Sequence, residues 1–197
     1  LQLGFEAKGS DVSVRMINEA RRNAELSGID ADFVQADFKR LTDVFDEKFD
    51  CVICWGNSLN HELRMKGVLS ALRSMHDVLR NEGVVIIQIR NLPKWAKERR
   101  RVLPAHFHKA PNGDRKIFFY VLDFCRTRVK FNVISILEFD EKPTFEVDST
   151  DYRIVSAQRL KELMMRAEYR QLKTYGDFKF AKFSDEHSED IIVIGTK

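Results

Sequence analysis

Phe49-Asp50-Cys51-Val52-Ile53-Cys54-Trp55-Gly56-Asn57-Ser58-Leu59-Asn60-His61 is the stretch that decides the fold. Four apolar residues follow an acidic turn and stop at a Trp-Gly corner, after which small polar side chains take over. A short, continuous apolar run of this kind reads as a parallel strand buried on both faces. In open α/β sheets, ligands bind just beyond the carboxyl ends of such strands. Asn57, Ser58, Asn60 and His61 therefore stand where a site is expected. A helix with apolar positions Val68, Leu69, Leu72, Met75 and Leu79 follows.

The same alternation extends in both directions. Residues 5–12 read as a strand ending at Asp11. Ser13 caps a helix over 14–27 with Met16, Ile17, Ala20 and Ala24 inward, and Gly28 closes it. Residues 32–35 form a second strand, with Asp37 just past its end. After the helix of the decisive stretch, an Asn81-Glu82-Gly83 turn leads to the strongest strand, Val84-Val85-Ile86-Ile87-Gln88-Ile89-Arg90. Strands alternating with helices imply right-handed βαβ units and a parallel sheet. Between residues 117 and 155 the pattern changes to β-rich segments with no intervening helix, an antiparallel insertion. Ser156 caps a further helix to Ala167, and residues 169–175 and 190–195 return to the main sheet.

Composition narrows the classes. At 197 residues and 44% hydrophobic, the chain can bury one sizeable core. A net charge of +3 without a second basic cluster beside residues 94–101 argues against a nucleic-acid partner, and that segment reads as a solvated helix or lid. No apolar run approaches the roughly 20 residues needed to span a bilayer, and no signal peptide opens the sequence. Cys51, Cys54 and Cys125 read as buried, reduced thiols suited to a cytoplasmic location. Cys51 and Cys54 point to opposite faces of a strand, and no second C-x-x-C completes a zinc site. His106 and His108 lack an evident third ligand, so no metal is expected.

Three polar positions, Asp11, Asp37 and the loop from Asn57 to His61, fall just past successive strands, and Arg90 ends the strongest one. A carboxylate after a Rossmann-type strand accepts hydrogen bonds from two ribose hydroxyls. An acid after the next strand accepts from an exocyclic amine. Their joint placement points to an adenosine-containing cofactor. Arg90 presents a planar fork that matches a carboxylate, and closing a buried strand it requires an anionic partner. That partner is either a bound anion or a structural acid such as Asp123 or Asp148.

Gly9-Ser10-Asp11-Val12-Ser13, Gln35-Ala36-Asp37-Phe38, the decisive stretch, Ile87-Gln88-Ile89-Arg90-Asn91 and Tyr175-Gly176-Asp177-Phe178 together resemble the class I S-adenosylmethionine-dependent methyltransferases. Within that class they look like the glycine and glycine/sarcosine N-methyltransferases. The resemblance implies a Rossmann-like seven-stranded α/β sheet with a small antiparallel β insertion. Residues 1–103 and 156–197 would form the methyltransferase domain, and 104–155 the insertion covering the acceptor. It implies S-adenosylmethionine as cofactor, with Asp11 on the ribose, Asp37 and Phe38 at the adenine, and Trp55, Gly56 and His61 near the methionine part. Asn57 and Arg90 would bind the acceptor carboxylate under a roof of Tyr120 and Tyr152, with Phe119 the other candidate for the Tyr120 role.

The resemblance also implies methyl transfer to a small-molecule amine, glycine or sarcosine, by in-line displacement, and leaves room for a homo-oligomer. A non-catalytic cofactor-binding module and a methyltransferase acting on another small molecule are the competing readings. A flipped-base substrate is disfavoured, because Trp55-Gly56-Asn57-Ser58 stands where amino-group DNA methyltransferases carry [N/D]-P-P-[aromatic]. An NAD dehydrogenase is disfavoured by the lack of the fingerprint loop. In the resembled class the first strand and its glycine-rich loop precede the elements read here, and neither is in the sequence. The expectation is a folding unit larger than these residues, with an unfilled position between the strands of residues 5–12 and 49–55.

Overall fold

The computed structural model describes residues 4–109, 115–139 and 142–197. β1 (Lys8–Asp11) runs parallel to β2 (Asp32–Gln35), and α1 (Val14–Leu26) connects them. The start of α1 is set as its sequence dictates. Ser13 Oγ accepts from the Met16 N–H, and Asp11 Oδ1 accepts from the Ser13 N–H at 2.8 Å. Gly28 leaves the helix at φ +62°. Ile17 is buried, but Met16 is exposed, because its side of α1 borders the cleft described below rather than a packed layer.

β3 (Phe49–Cys54), α2 (Met65–Asp77), β4 (Leu79–Arg90) and α3 (Leu92–Lys97) follow. The expected 81–83 turn lies within the irregular start of β4, where Glu82 takes φ +62° and the register against β3 shifts. Four antiparallel strands come next: β5 (His106–Lys109), β6 (Arg115–Cys125), β7 (Arg128–Phe139) and β8 (Lys142–Arg153). Ser156 Oγ then caps α4 (Ala157–Arg166), accepting from the Arg159 N–H. β9 (Arg170–Tyr175) and β10 (Asp190–Thr196) complete the order.

β3, β4, β10 and β9 form one sheet in that order, parallel between β3 and β4 and antiparallel from β10 onward. The odd-numbered residues of β4 and β10 (Val85, Ile87, Ile89, Ile191, Val193) are fully buried. They form one core with Val68, Leu72 and Met75 of α2 and Leu160, Leu163 and Met164 of α4. Strand periodicity sends Gln88, Arg90 and Asp190 to the opposite face. Because β3 is parallel to β4, Trp55 and Arg90 share one edge of the sheet.

Among the described residues no ladder joins β1 to β3. Both strands border a cleft of about 800 Å³. This overturns the expectation that β3 is buried on both faces: Ile53 is 58% exposed, because only β4 pairs with the strand among the described residues. Two thiol assignments are overturned as well. Cys54 is buried, but Cys51 opens onto the cleft and Cys125 sits exposed at the β6–β7 turn.

Residues 94–101 are solvated only in part: Lys97, Glu98, Arg99 and Arg101 are exposed, but the start of the segment is not. Lys94 and Trp95 are buried, and Glu189 binds both, through Lys94 Nζ at 2.5 Å and Trp95 Nε1 at 2.7 Å. Arg100 donates to the same carboxylate and lies 5.1 Å from the Trp95 ring centroid. This hub fastens α3 to the start of β10.

Candidate active site

The corner after β3 is built from backbone conformation and two hydrogen bonds. Gly56 and Asn57 both take left-handed φ values, +71° and +69°. Glycine and asparagine are the residues that reach this region at least cost. Gly56 N–H donates to Gln88 Oε1 at 2.8 Å, and Arg90 N–H donates to Asn57 Oδ1 at 2.7 Å. The corner is thus held at two successive residues by β4. Ser58 Oγ donates to the Trp55 carbonyl at 2.8 Å, closing the turn into the short helix Ser58–His61.

Arg90 pairs with neither Asp123 nor Asp148. Its Nη1 meets Asp190 Oδ1 at 2.9 Å, directly across the β4–β10 register. Asp123 instead binds Arg101 and Asn132 Nδ2. The Arg90 side chain keeps 43% exposure, so the guanidinium is anchored at one edge and open beyond it.

The carboxylates expected to hold an adenosine converge on the same cleft. Asp11, Asp37, Phe38, Trp55 and His61 all line it, together with Ser58, Lys39 and Glu62. Gly56, Asn57, Arg90, Tyr120 and Tyr152 are not among the residues that line it. The cleft also continues downward between β1 and β3 to Phe45, Phe49 and Met75, so its volume exceeds that of the strand-end site alone. Asp37 carries a cation of its own: Oδ1 accepts from the Lys39 N–H at 2.9 Å, and Oδ2 lies 3.3 Å from Lys39 Nζ. Lys39 Nζ also binds Glu62 at 2.8 Å. The Glu62 hydrogen bond holds the Lys39 ammonium above its ordinary range against the opposing effect of burial. Burial raises the Glu62 carboxyl, and the hydrogen bonds from Lys39 and the Arg64 N–H outweigh it, leaving it below its ordinary value.

His61 is pushed toward the neutral form by burial, while the charge of Asp11 acts in the other direction. Its ring meets Tyr152 edge-on at 4.5 Å. From Tyr152 an aromatic line continues to Phe131 at 4.5 Å, Tyr120 at 6.2 Å and Phe118 at 6.2 Å, all on one face of the antiparallel sheet. Phe119 lies on the other face, opposite Ile134. Of the two alternatives for the roof, Tyr120 is therefore the one on the aromatic face with Tyr152. Asn60 fastens this sheet to the corner, its Nδ2 donating to the Arg153 carbonyl at 2.7 Å.

Sequence reasoning missed Lys39, Glu62, Gln88, Asp190 and the Trp55–Phe178 stack, whose ring centroids are 4.4 Å apart at 6°. Two of these left a trace. Gln88 is the lone polar residue inside a strong apolar run, and Asp190 opens another.

The architecture is that of the class I S-adenosylmethionine-dependent methyltransferases. A methyltransferase from Clostridium acetobutylicum that depends on that cofactor superposes with a TM-score of 0.81 at 14% identity, covering 98% of this chain and 75% of that one. Residues 2–83 match a family described as a methyltransferase domain, and the chain is similar to this class, whose cofactor is S-adenosylmethionine. More particularly, it is similar to glycine/sarcosine N-methyltransferases. That of Aphanothece halophytica is 24% identical over 186 residues, covering 94% of this chain and 66% of the relative. That of Halorhodospira halochloris is 25% identical over 197 residues, covering 100% and 69%. The chain thus spans about two thirds of the length of these two curated relatives.

Proposed function

We propose that this chain serves methyl transfer from S-adenosylmethionine to the amine of a small, carboxylate-bearing acceptor, with glycine and sarcosine the best fit. The observation that carries the reading is Arg90. It is a half-exposed guanidinium at the carboxyl end of β4, anchored to Asp190 through one nitrogen with the rest of its fork open. Its own N–H holds Asn57, so the residue's backbone stands beside the corner that borders the cleft. The similarity to glycine/sarcosine N-methyltransferases supports the same acceptor class.

The residues fit the cofactor. Asp11 and Asp37 offer carboxylate oxygens to ribose hydroxyls and an adenine amine, and each oxygen engaged by a neighbouring N–H retains a second acceptor site. Phe38 supplies an apolar flank, and the left-handed corner brings backbone toward the methionine part. When bound, the cofactor supplies a methyl group already activated on a sulfonium sulfur. The protein's task is to orient a neutral amine in line with it and to exclude water. Positioning of this kind lowers a barrier by about 7–11 kcal/mol. Arg90 and Asn57 would hold the acceptor carboxylate, and Tyr120 and Tyr152 would close the site from above. The proton released from the amine passes to solvent, so no dedicated base is required.

The test is a screen of the intact protein with methyl-labelled S-adenosylmethionine against glycine, sarcosine, dimethylglycine and larger amines lacking a carboxylate, with Arg90→Ala alongside. Turnover of carboxylate-bearing amines that collapses in the variant supports the reading. Equal turnover by the variant, or a preference for amines without a carboxylate, overturns it. Binding of S-adenosylhomocysteine without turnover of any acceptor would identify a cofactor-binding module instead.

A further inference from the structure

We propose that Gln88 is a positioning residue that couples the Arg90 clamp to the Gly56–Asn57 corner; this rests on the acceptor reading given above. Gln88 is 4% exposed inside β4, where an unpaired amide would be costly. Both of its ends are used. Nε2 donates to Asp190 Oδ1 at 2.8 Å, and Oε1 accepts from the Gly56 N–H at 2.8 Å. A carboxylate only accepts and a backbone N–H only donates, so the amide has one orientation that satisfies both.

The same Asp190 oxygen receives Arg90 Nη1 at 2.9 Å. The circuit closes through the Arg90 N–H to Asn57 Oδ1, on the residue next to Gly56. Gly56, Asn57, Arg90, Asp190 and Gln88 thus form one ring, in which the guanidinium cannot swing without pulling on the corner. Asp190 is itself buried, with a side chain only 12% exposed, so solvent does not readily replace a lost partner. A residue that touches neither cofactor nor acceptor therefore sets the angle of the clamp relative to the methionine side of the site.

The partner chemistry supplies a swap. Gln88→Glu sets a carboxylate against that of Asp190, two acceptors of like charge with no proton between them. Asp190→Asn keeps an oxygen for both donors and loses only the charge. In the double variant the amide nitrogen installed at position 190 donates to the carboxylate installed at position 88. The amide oxygen accepts from Arg90, and the relocated carboxylate still accepts from the Gly56 N–H. Because both donors converge on one Asp190 oxygen in the parent, the amide installed at position 190 must turn about its Cβ–Cγ bond to face its nitrogen to position 88 and its oxygen to Arg90. The ring is then restored with its charge moved from one strand to the other.

Two measurements on the intact protein decide it: initial-rate kinetics with S-adenosylmethionine and sarcosine, and solvent exchange of the Arg90 guanidinium protons by nitrogen-15 NMR. Gln88→Glu is expected to raise the sarcosine KM at least tenfold with kcat changed less than threefold, and to speed Arg90 exchange. The double variant is expected to return both to within threefold of the parent. A Gln88→Glu protein indistinguishable from the parent, or a double variant no better than the single, overturns the proposal. A parent that turns over no acceptor sinks the acceptor reading and the clamp role with it, and the exchange measurement then decides only whether Gln88 couples Arg90 to the Gly56–Asn57 corner. Should Gln88→Glu not fold, a folded double variant with parent-like exchange supports the ring, and an unfolded one overturns it.

Discussion

The Arg90 N–H donates to Asn57 Oδ1 at 2.7 Å, so the last residue of β4 and the corner beyond β3 move as one. Asn57 meets two demands at once: a left-handed φ of +69° and an acceptor for that N–H. Asn57→Ala meets neither. The left-handed backbone costs an alanine, which lacks the short polar side chain that eases asparagine into it, about 1 kcal/mol, and the lost hydrogen bond costs about 1 kcal/mol more. Asn57→Gly accepts the φ and loses only the bond. Urea unfolding is expected to place the alanine variant about 2 kcal/mol below the parent and the glycine variant about half as far. Equal losses would show that backbone conformation is not what selects asparagine here.

Asp11 and Asp37 differ in what already surrounds them. Asp11 accepts from the Ser13 N–H and pairs with no cation among the described residues, whereas Asp37 is held against Lys39. A hydrogen bond to a charged group contributes about 1.5–3 kcal/mol. Asp11→Ala is therefore expected to weaken S-adenosylhomocysteine binding about 10–100-fold. Asp37→Ala, whose charge Lys39 partly offsets, is expected to fall near the lower end of that range. Calorimetric titration of both variants checks this. Unchanged affinity in both would remove the ribose and adenine assignments.

Much of this was legible in the sequence. Ser13 and Ser156 as caps, the strands closed by Asp11 and Arg90, and the switch to an antiparallel sheet all rest on local signals of periodicity and capping. The burial of β3 was not legible, because it depends on what pairs with its second edge. Cys51 and Ile53 have the composition of core residues and stand exposed. The partner of Arg90 was equally hidden. Asp190 lies 100 residues along the chain, and only the antiparallel return of β10 sets it opposite Arg90. Lys94 and Arg100 looked like solvated charge for the same reason, since Glu189 arrives with that strand.

That hub makes acid sensitivity predictable. Burial pushes the Glu189 carboxyl up, but hydrogen bonds from Arg100, Lys94 and Trp95 outweigh it and hold the group at about 2, against an ordinary value of 4.5. The folded state therefore binds this proton less readily than the unfolded chain. The stabilisation is complete above pH 4.5 and is lost as pH falls toward 2. Glu189→Gln is expected to lower the thermal midpoint at neutral pH and to flatten its decline between pH 4.5 and 2 relative to the parent. Parallel declines in the two proteins would mean that other carboxylates dominate acid unfolding.

The three thiols differ in accessibility, and two of them line the cleft. Burial pushes Cys54 up to about 12, so it presents almost no thiolate near neutral pH. Cys51 is raised by burial to a lesser degree and opens onto the cleft, and Cys125 is exposed on the antiparallel sheet. With an alkylating reagent at mildly alkaline pH, mass spectrometry is expected to find Cys125 modified first, Cys51 more slowly, and Cys54 only after unfolding. Cys51 precedes Cys54 by three residues along β3, which sets it about 10 Å below the strand end. A cofactor bound at Asp11, Asp37 and the Gly56 corner sits above that depth. S-adenosylhomocysteine at saturation is therefore expected to change the Cys51 rate less than twofold. Strong protection of Cys51 would mean that the ligand reaches down between β1 and β3, and that the lower cleft belongs to the binding site.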